Sequence, residues 1–381
     1  SEYMMRADLD TLRLTPWIAG YASLFGTGLV DDAEHVFDTR NVLAAQVARL
    51  AERGLTLNTG LEPEFMLLRR DESGAIRPFD ATDGLEKAAY DYRGLMRARE
   101  VLNALVESLE AVGIDVYQID HEDANGQYEI NFRYADALTT ADQVTFFKMA
   151  ASEIAHQAGA ICSFMPKPFA RATGNGMHIH FSIADATGRN LFEDRADPSG
   201  LDLSEMAYHF LGGVLAHAPA LTALLCPTVN SYKRLVIGND ASGTNWAPVF
   251  TTYGDNNRTA MVRVPGGRLE LRVGDSAMNP YLATAALIAA GLDGIERKLD
   301  PGAPQNVNFY ELTAAEVAAM GIDILPQSLA EALAALRADS LFAETLGAAL
   351  ITEFTQIKQA EWDAYHRHVS DWETNRYLSF F

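Results

Sequence analysis

The sequence predicts an α+β fold, with one large body over residues 41–381 and a smaller β-rich piece at 1–40 before it. Three observations carry this prediction. Strand-like runs that alternate apolar and ionisable residues are scattered between Leu61 and Val273. Stretches with the ~3.6-residue apolar period of amphipathic helices lie between and after them. The composition is that of a folded protein, 48% hydrophobic and 21% charged over 381 residues, without repeats, low-complexity runs or a long linker.

Residues 1–40 read as short strands and turns, broken at Pro16-Trp17, Gly20, Gly26 and Gly28. From Asn41 to Gly54 the positions Val42, Leu43, Ala45, Val47, Leu50 and Ala51 mark an amphipathic helix that glycine stops. A strand is predicted at 59–69, followed by a loop rich in Asp and Gly. A helix over 96–112 ends at Gly113, strands follow at 114–119 and 127–133, and a helix over 139–158 ends at Gly159. The stretch 176–184 is strand-like and 203–225 helix-like. Residues 260–274 hold two strand runs around Pro265-Gly266-Gly267, Pro280 to Ile295 is an Ala/Leu-rich helix, and the chain beyond about 327 is mostly helical.

Acids outnumber bases, 51 Asp+Glu against 30 Lys+Arg for a net charge of −21, which argues against a nucleic-acid or anionic-membrane partner. No apolar run reaches the roughly 18 residues of a membrane span, and the N-terminus does not resemble a signal peptide. Cys162 and Cys226 are too few for a disulfide framework, so buried free thiols in a cytoplasmic protein are expected. The chain opens at Ser1, without an initiator Met and in what reads as mid-strand, so the natural start is expected upstream.

Side chains alternate across a strand, and residues two apart share a face. Glu62 and Glu64 oppose Leu61, Phe65 and Leu67; Glu129, Asn131 and Arg133 oppose Tyr128, Ile130 and Phe132. His178, His180 and Ser182 oppose Met177, Ile179 and Phe181, while Glu270 and Arg272 oppose Leu269, Leu271 and Val273. A single such strand is most simply a solvated edge of a sheet. Four of them bearing Glu, His and Arg but no Lys favour an inward, oxygen-rich site suited to Mg²⁺ or Mn²⁺, with zinc disfavoured. Arg234, Arg258, Arg263, Arg268 and Arg272 lie within 39 positions and supply cationic partners. Metals with arginines imply an anionic, phosphate-bearing substrate and phosphoryl transfer. No GxxxxGK[ST] loop occurs, so ATP would bind through metals and arginine.

The ordered segments Glu62-Pro63-Glu64-Phe65, His121-Glu122, Gly126-Gln127-Tyr128-Glu129-Ile130 and Phe164-Met165-Pro166-Lys167-Pro168 resemble the glutamine synthetase family. The match continues through Gly174-Asn175-Gly176-Met177-His178-Ile179-His180, Asn230-Ser231-Tyr232-Lys233-Arg234-Leu235, Asn257-Arg258-Thr259-Ala260, Glu270-Leu271-Arg272 and Asn279-Pro280-Tyr281-Leu282-Ala283. It runs over nearly the whole chain. The resemblance implies a catalytic domain with a curved antiparallel sheet lining the site, flanked by helices, after the remainder of a β-grasp-like N-terminal domain. It implies one Mg²⁺ or Mn²⁺ held by Glu64, Glu122 and Glu129 and a second held by Glu62, His178 and Glu270. His180, Arg263 and Arg268 match nucleotide-contacting positions, and Arg234, Arg258, Arg272 and the backbone at Gly174 match glutamate and γ-phosphate contacts. The implied reaction phosphorylates the γ-carboxylate of glutamate with ATP, after which an amine displaces phosphate. A homo-oligomer, a dodecamer whose subunits share sites, is implied as well.

Three departures from the family pattern matter. The family's catalytic Asp, given by a neighbouring subunit, falls upstream of Ser1. Thr173-Gly174 stands where Asn-Gly is common. In the flap between Arg234 and Arg258 the expected proton-accepting Glu is missing: counting from Arg234 puts Asp240 there, and matching Ala247-Pro248 puts Trp246 there. A longer, more aromatic flap favours an alkylammonium over ammonium, since burying a methyl gains about 0.8 kcal/mol. The expected activity is therefore glutamate–methylamine ligation, with ammonia or a polyamine as alternative acceptors. A structural oligomer of the same fold is the non-enzymatic alternative.

Overall fold

The computed structural model describes residues 2–237 and 247–381. Asp240 and Trp246 lie outside the described residues. At the N-terminus, Tyr3–Ala7 pairs antiparallel with Gly26–Val30, which pairs with Ala33–Glu34. Helix Thr39–Ala51 then begins at Asp38, whose carboxylate accepts from the Arg40 and Asn41 amides and so satisfies two donors that no helical turn can reach.

The centre is a sheet of ten strands among the described residues. Its main path runs Tyr253–Asp255, Val262–Val264, Leu269–Leu271, Met177–Asp185, Leu55–Arg70, Gln127–Phe132, Val116–His121. Pairing is antiparallel except between Tyr253–Asp255 and Val262–Val264, which run parallel. The sixteen-residue strand Leu55–Arg70 also pairs with Ile76–Pro78, Ala135–Asp136 and Ile161–Ser163.

The predicted alternation holds. Leu61, Phe65, Leu67, Tyr128, Ile130, Phe132, Met177, Ile179, Phe181, Leu269 and Leu271 are all buried in one core. Helices Ala137–Gln157 and Pro280–Arg297 help to form that core, with Phe147 lying 5.8 Å, edge-on, from Phe65. Asn279 caps the second of these helices and Pro280 opens it, a position where the missing N–H costs nothing.

Three expectations change. The helix expected over 96–112 is two, Tyr92–Arg97 and Arg99–Ala111, which meet at Ala98. The stretch 203–225 is two helices, Glu205–Ala216 and Ala218–Leu225, bent by 75°. Pro219 in the first turn of the second helix permits the break, and His217 sits at it, bonded to Asp339 at 2.6 Å and Asp293 at 2.9 Å. Both helices are largely buried, and among the described residues no single helix is long and apolar enough to cross a membrane. Of the free thiols, Cys226 is buried but Cys162 only partly so.

Candidate active site

Strand register sets the site. Antiparallel neighbours place directly opposed side chains about 5 Å apart on one face. Opposite Glu64 stands Glu129, and opposite Glu129 stands Asp120. Glu62 faces His178, His180 faces Glu270, and Glu270 faces Arg263. The Glu62–His178 pair and the His180–Glu270–Arg263 row thus set acids against basic side chains, while Glu64, Glu129 and Asp120 form a row of three acids. Like charges directly opposed are destabilising unless a cation joins them.

The donor atoms converge as that argument requires. Single ligand atoms of Glu62, Glu129 and His178 lie within 4.8 Å of one another, as do those of Glu62, His180 and Glu270, and those of Asp120, Glu122 and Glu129. Burial, followed by the charges of Glu64, Asp120 and Asp123, pushes the Glu122 carboxyl up to about 8. Glu129 is raised well above the usual range by burial and by Glu62, Glu64 and Glu122. Burial would raise Glu62 too, yet hydrogen bonds from His178 and His180 hold it low. A crowded set of carboxylates with imidazole suits a hard divalent cation, so these residues fit the metals that the family implies.

The structure groups the donors differently from the expected triplets. Asp120 joins Glu122 and Glu129, a contribution that the strand predicted at 114–119 missed because the strand runs to His121. His180, expected at the nucleotide, has its Nε2 3.1 Å from Glu62 and 3.8 Å from Glu270. Glu64 stands outside the triplets, with its Oε2 accepting from the Gly176 amide at 2.8 Å and from Gln127 at 3.0 Å. Behind Glu122, buried His121 links Asp83 at 2.9 Å to the Glu122 carbonyl at 2.7 Å and so fixes that backbone.

Two of the arginines meet at Glu270, which is 1% exposed. Arg263 donates to it at 2.8 Å and Arg272 donates to its other oxygen. Burial opposes its charge, but Arg272, His178 and His180 hold its carboxyl below the usual range. Arg234 is buried and donates to the Val273 carbonyl at 2.8 Å, and Arg272 Nε reaches the Arg258 carbonyl at 3.2 Å. The Arg258 side chain itself is exposed.

Gly174-Asn175-Gly176 runs beneath Arg234. A Cβ on Gly176 would lie 2.8 Å from Arg234 Nη2, 3.1 Å from Glu64 Oε1 and 3.2 Å from His178 Nε2. Only glycine lets three such side chains crowd the backbone. Next to Glu62 a cavity of about 830 Å³ opens, lined among others by Tyr117, Tyr134, His180, Ser182 and Arg268. Arg268 Nε donates to His180 Nδ1 at 3.3 Å, which places that arginine between cavity and carboxylates.

A family model described as the glutamine synthetase catalytic domain matches residues 36–377. The chain belongs to the glutamine synthetase family. It is 56% identical over its whole length, and over 86% of the relative, to the glutamate–methylamine ligase of Methyloversatilis universalis. Identity is 41% to the glutamine synthetase of Rhizobium leguminosarum bv. phaseoli, covering 97% of this chain and 84% of that protein. It is 42% to that of Rhizobium meliloti, covering 96% and 83%. A solved GmaS–ADP complex superposes with a TM-score of 0.91 at 42% identity, covering 99% of this chain and 85% of that one. The expected glutamine synthetase catalytic-domain fold is the one observed.

Proposed function

We propose that the chain is an ATP-dependent ligase that joins the γ-carboxylate of glutamate to a small amine, methylamine first, through γ-glutamyl phosphate. The observation that carries this reading is the junction at Glu270, where an acid-and-imidazole face meets an arginine group around one buried carboxylate. Glu62, Glu64, Glu122, Glu129, Glu270 and His178 would hold two divalent ions, Mg²⁺ or Mn²⁺, with Asp120 as an added carboxylate. When bound, such ions supply charge neutralisation to a transferring phosphoryl group.

The remaining roles belong to the chain's own residues. His180, Arg263 and Arg268 would orient the nucleotide from the cavity beside Glu62. Arg234, Arg258 and Arg272, with the Gly174 backbone, would grip the glutamate carboxylates, since a guanidinium pairs with a carboxylate through two parallel hydrogen bonds. Once phosphorylated, the γ-carboxyl carries phosphate as a good leaving group in place of oxide. The amine arrives as its ammonium and must give up a proton before it attacks. The flap between Arg234 and Arg258, with Asp240 or Trp246, is the segment proposed to meet it.

Identity of 56% with a methylamine ligase, against 41–42% with the two rhizobial glutamine synthetases, supports methylamine; the rhizobial relatives keep ammonia as the second reading. A homo-oligomer, a dodecamer, belongs to the proposal, and the exposed Tyr3, Met5, Trp372 and Phe380 suit subunit contacts. Residues 1–40 are proposed as part of a small N-terminal domain, and free Cys162 and Cys226 support a cytoplasmic setting. Phosphate release with ATP, Mg²⁺ and glutamate, supplied with ammonium, methylamine, ethylamine or putrescine, tests the reading. Methylamine should give the highest kcat/KM. A clear lead for ammonium would overturn the preference, and no turnover with any amine would overturn the ligase.

A further inference from the structure

Gln127 is fully buried, at 0% exposure, and shares a strand face with Glu129 and Asn131. Its Nε2 lies 3.0 Å from Glu64 Oε2, 3.1 Å from the Gly174 carbonyl and 3.1 Å from Asn175 Oδ1. All three partners are acceptors, and Oε1 accepts from the Ala124 amide at 3.0 Å, so the orientation of the side-chain amide is fixed by its surroundings. Two N–H groups are therefore shared among three acceptors on two separate pieces of the site. One is the Glu64 carboxylate on the long central strand. The other is the Gly174-Asn175 turn, which Asn175 anchors further by donating to the Met165 carbonyl at 2.8 Å.

Glu64 Oε2 receives both this amide and the Gly176 N–H, whereas Oε1 carries no hydrogen bond among the described residues. One oxygen is thus tethered to the turn and the other is left for a ligand. We infer that Gln127 is a positioning residue that locks the Glu64 carboxylate to the Gly174-Asn175 turn, so that the cation site and the glutamate site keep one fixed register. The inference rests on the ligase reading for the word glutamate. Its geometry rests only on the contacts above.

Hydrogen-bonded supports behind metal ligands are typically worth about 10- to 100-fold in affinity. Gln127→Met keeps the volume and removes both N–H groups. Gln127→Glu keeps the acceptor for Ala124 but turns a carboxylate toward three acceptors. Mn²⁺ binding to purified full-length protein, followed by the electron paramagnetic resonance signal of the free ion, gives a readout independent of turnover. Both variants should bind Mn²⁺ about tenfold more weakly or worse, with Gln127→Glu the poorer. KM for glutamate should rise by a similar factor while KM for ATP stays within about twofold, because the nucleotide cavity lies beyond Glu62.

Unchanged Mn²⁺ affinity, unchanged KM for glutamate, or an equal rise in all three constants would overturn the inference. So would failure of both variants to fold, which would make Gln127 a purely structural part. Wild-type protein run in parallel separates the two readings. If it uses no amine the ligase proposal falls, while the Mn²⁺ titration still judges Gln127.

Discussion

Adding one methyl group at Gly176 should disable the site while leaving the fold standing. In Gly176→Ala the new Cβ would meet Arg234 Nη2 at 2.8 Å, Glu64 Oε1 at 3.1 Å and His178 Nε2 at 3.2 Å. Ordinary contact begins near 3.4 Å, so these atoms must retreat by about 0.6, 0.3 and 0.2 Å. Each lies at the end of a side chain and can yield, at an overpacking cost of about 1–3 kcal/mol. Arg234 yields least freely, being buried and held to the Val273 carbonyl at 2.8 Å. Misplacement approaching 1 Å of groups that orient a reacting centre costs on the order of 100-fold in rate. Gly174→Ala is the contrasting perturbation. Its Cβ would lie 2.2 Å from the Pro166 carbonyl oxygen, which is backbone and has no rotamer to escape into. Steady-state phosphate release and thermal melting on both variants decide the matter. The Gly176→Ala protein should melt within a few degrees of wild type yet lose about two orders of magnitude in kcat/KM, while the Gly174→Ala protein should lose its fold first. Activity of Gly176→Ala within twofold of wild type would refute the argument that this backbone is glycine because the site crowds it.

Glu129→Ala should abolish phosphate release and most of the stabilisation by divalent ions. At Mn²⁺ about 100 times its Kd, wild type should gain about 2.7 kcal/mol, read as a shift in melting temperature, and the variant less than half of that. Equal shifts would remove Glu129 from the cation site. At the helix bend, burial works against the charge of His217, but its bonds to Asp339 and Asp293 raise its pKa. A raised imidazole stabilises the fold below its unfolded value, near 6.5, and that stabilisation is lost as pH climbs through the folded value. His217→Leu should therefore cost about 3 kcal/mol at pH 6 and clearly less at pH 9; an equal loss of melting temperature at both would contradict a charged His217.

Period-two alternation exposed the site because it fixes faces without reference to the rest of the chain. Glu62, His178, Glu129 and Glu270 could be placed on polar faces from their neighbours alone. Which donors meet depends instead on register between strands far apart in sequence, and no local pattern encodes that. The same period, carried one step further, would have added Asp120 beside Gln118, and Gln127 beside Glu129. The bend at His217 was hidden because Glu205 to Leu225 keeps its apolar character through the break, and only Pro219 marks it. The parallel strand Tyr253–Asp255 is three residues long, too short for any periodicity to show.

The strand Leu55–Arg70 has a consequence for how the protein comes into being. It pairs with segments as near as Ile76–Pro78 and as far as Met177–Asp185, and through the latter it reaches Leu269–Leu271. Glu62 and Glu270 therefore become neighbours only after some two hundred intervening residues have been closed into a loop, an entropic cost met late because distant pairing pays back only once both strands are ordered. During synthesis, Glu62 and Glu64 leave the ribosome long before His178, and His178 long before Glu270. Arg234, Arg258, Arg263 and Arg268 emerge ahead of Glu270 and Arg272 just after it, so a chain interrupted before Leu269 holds most of the cations but lacks the carboxylate on which Arg263 and Arg272 meet, and has no complete site.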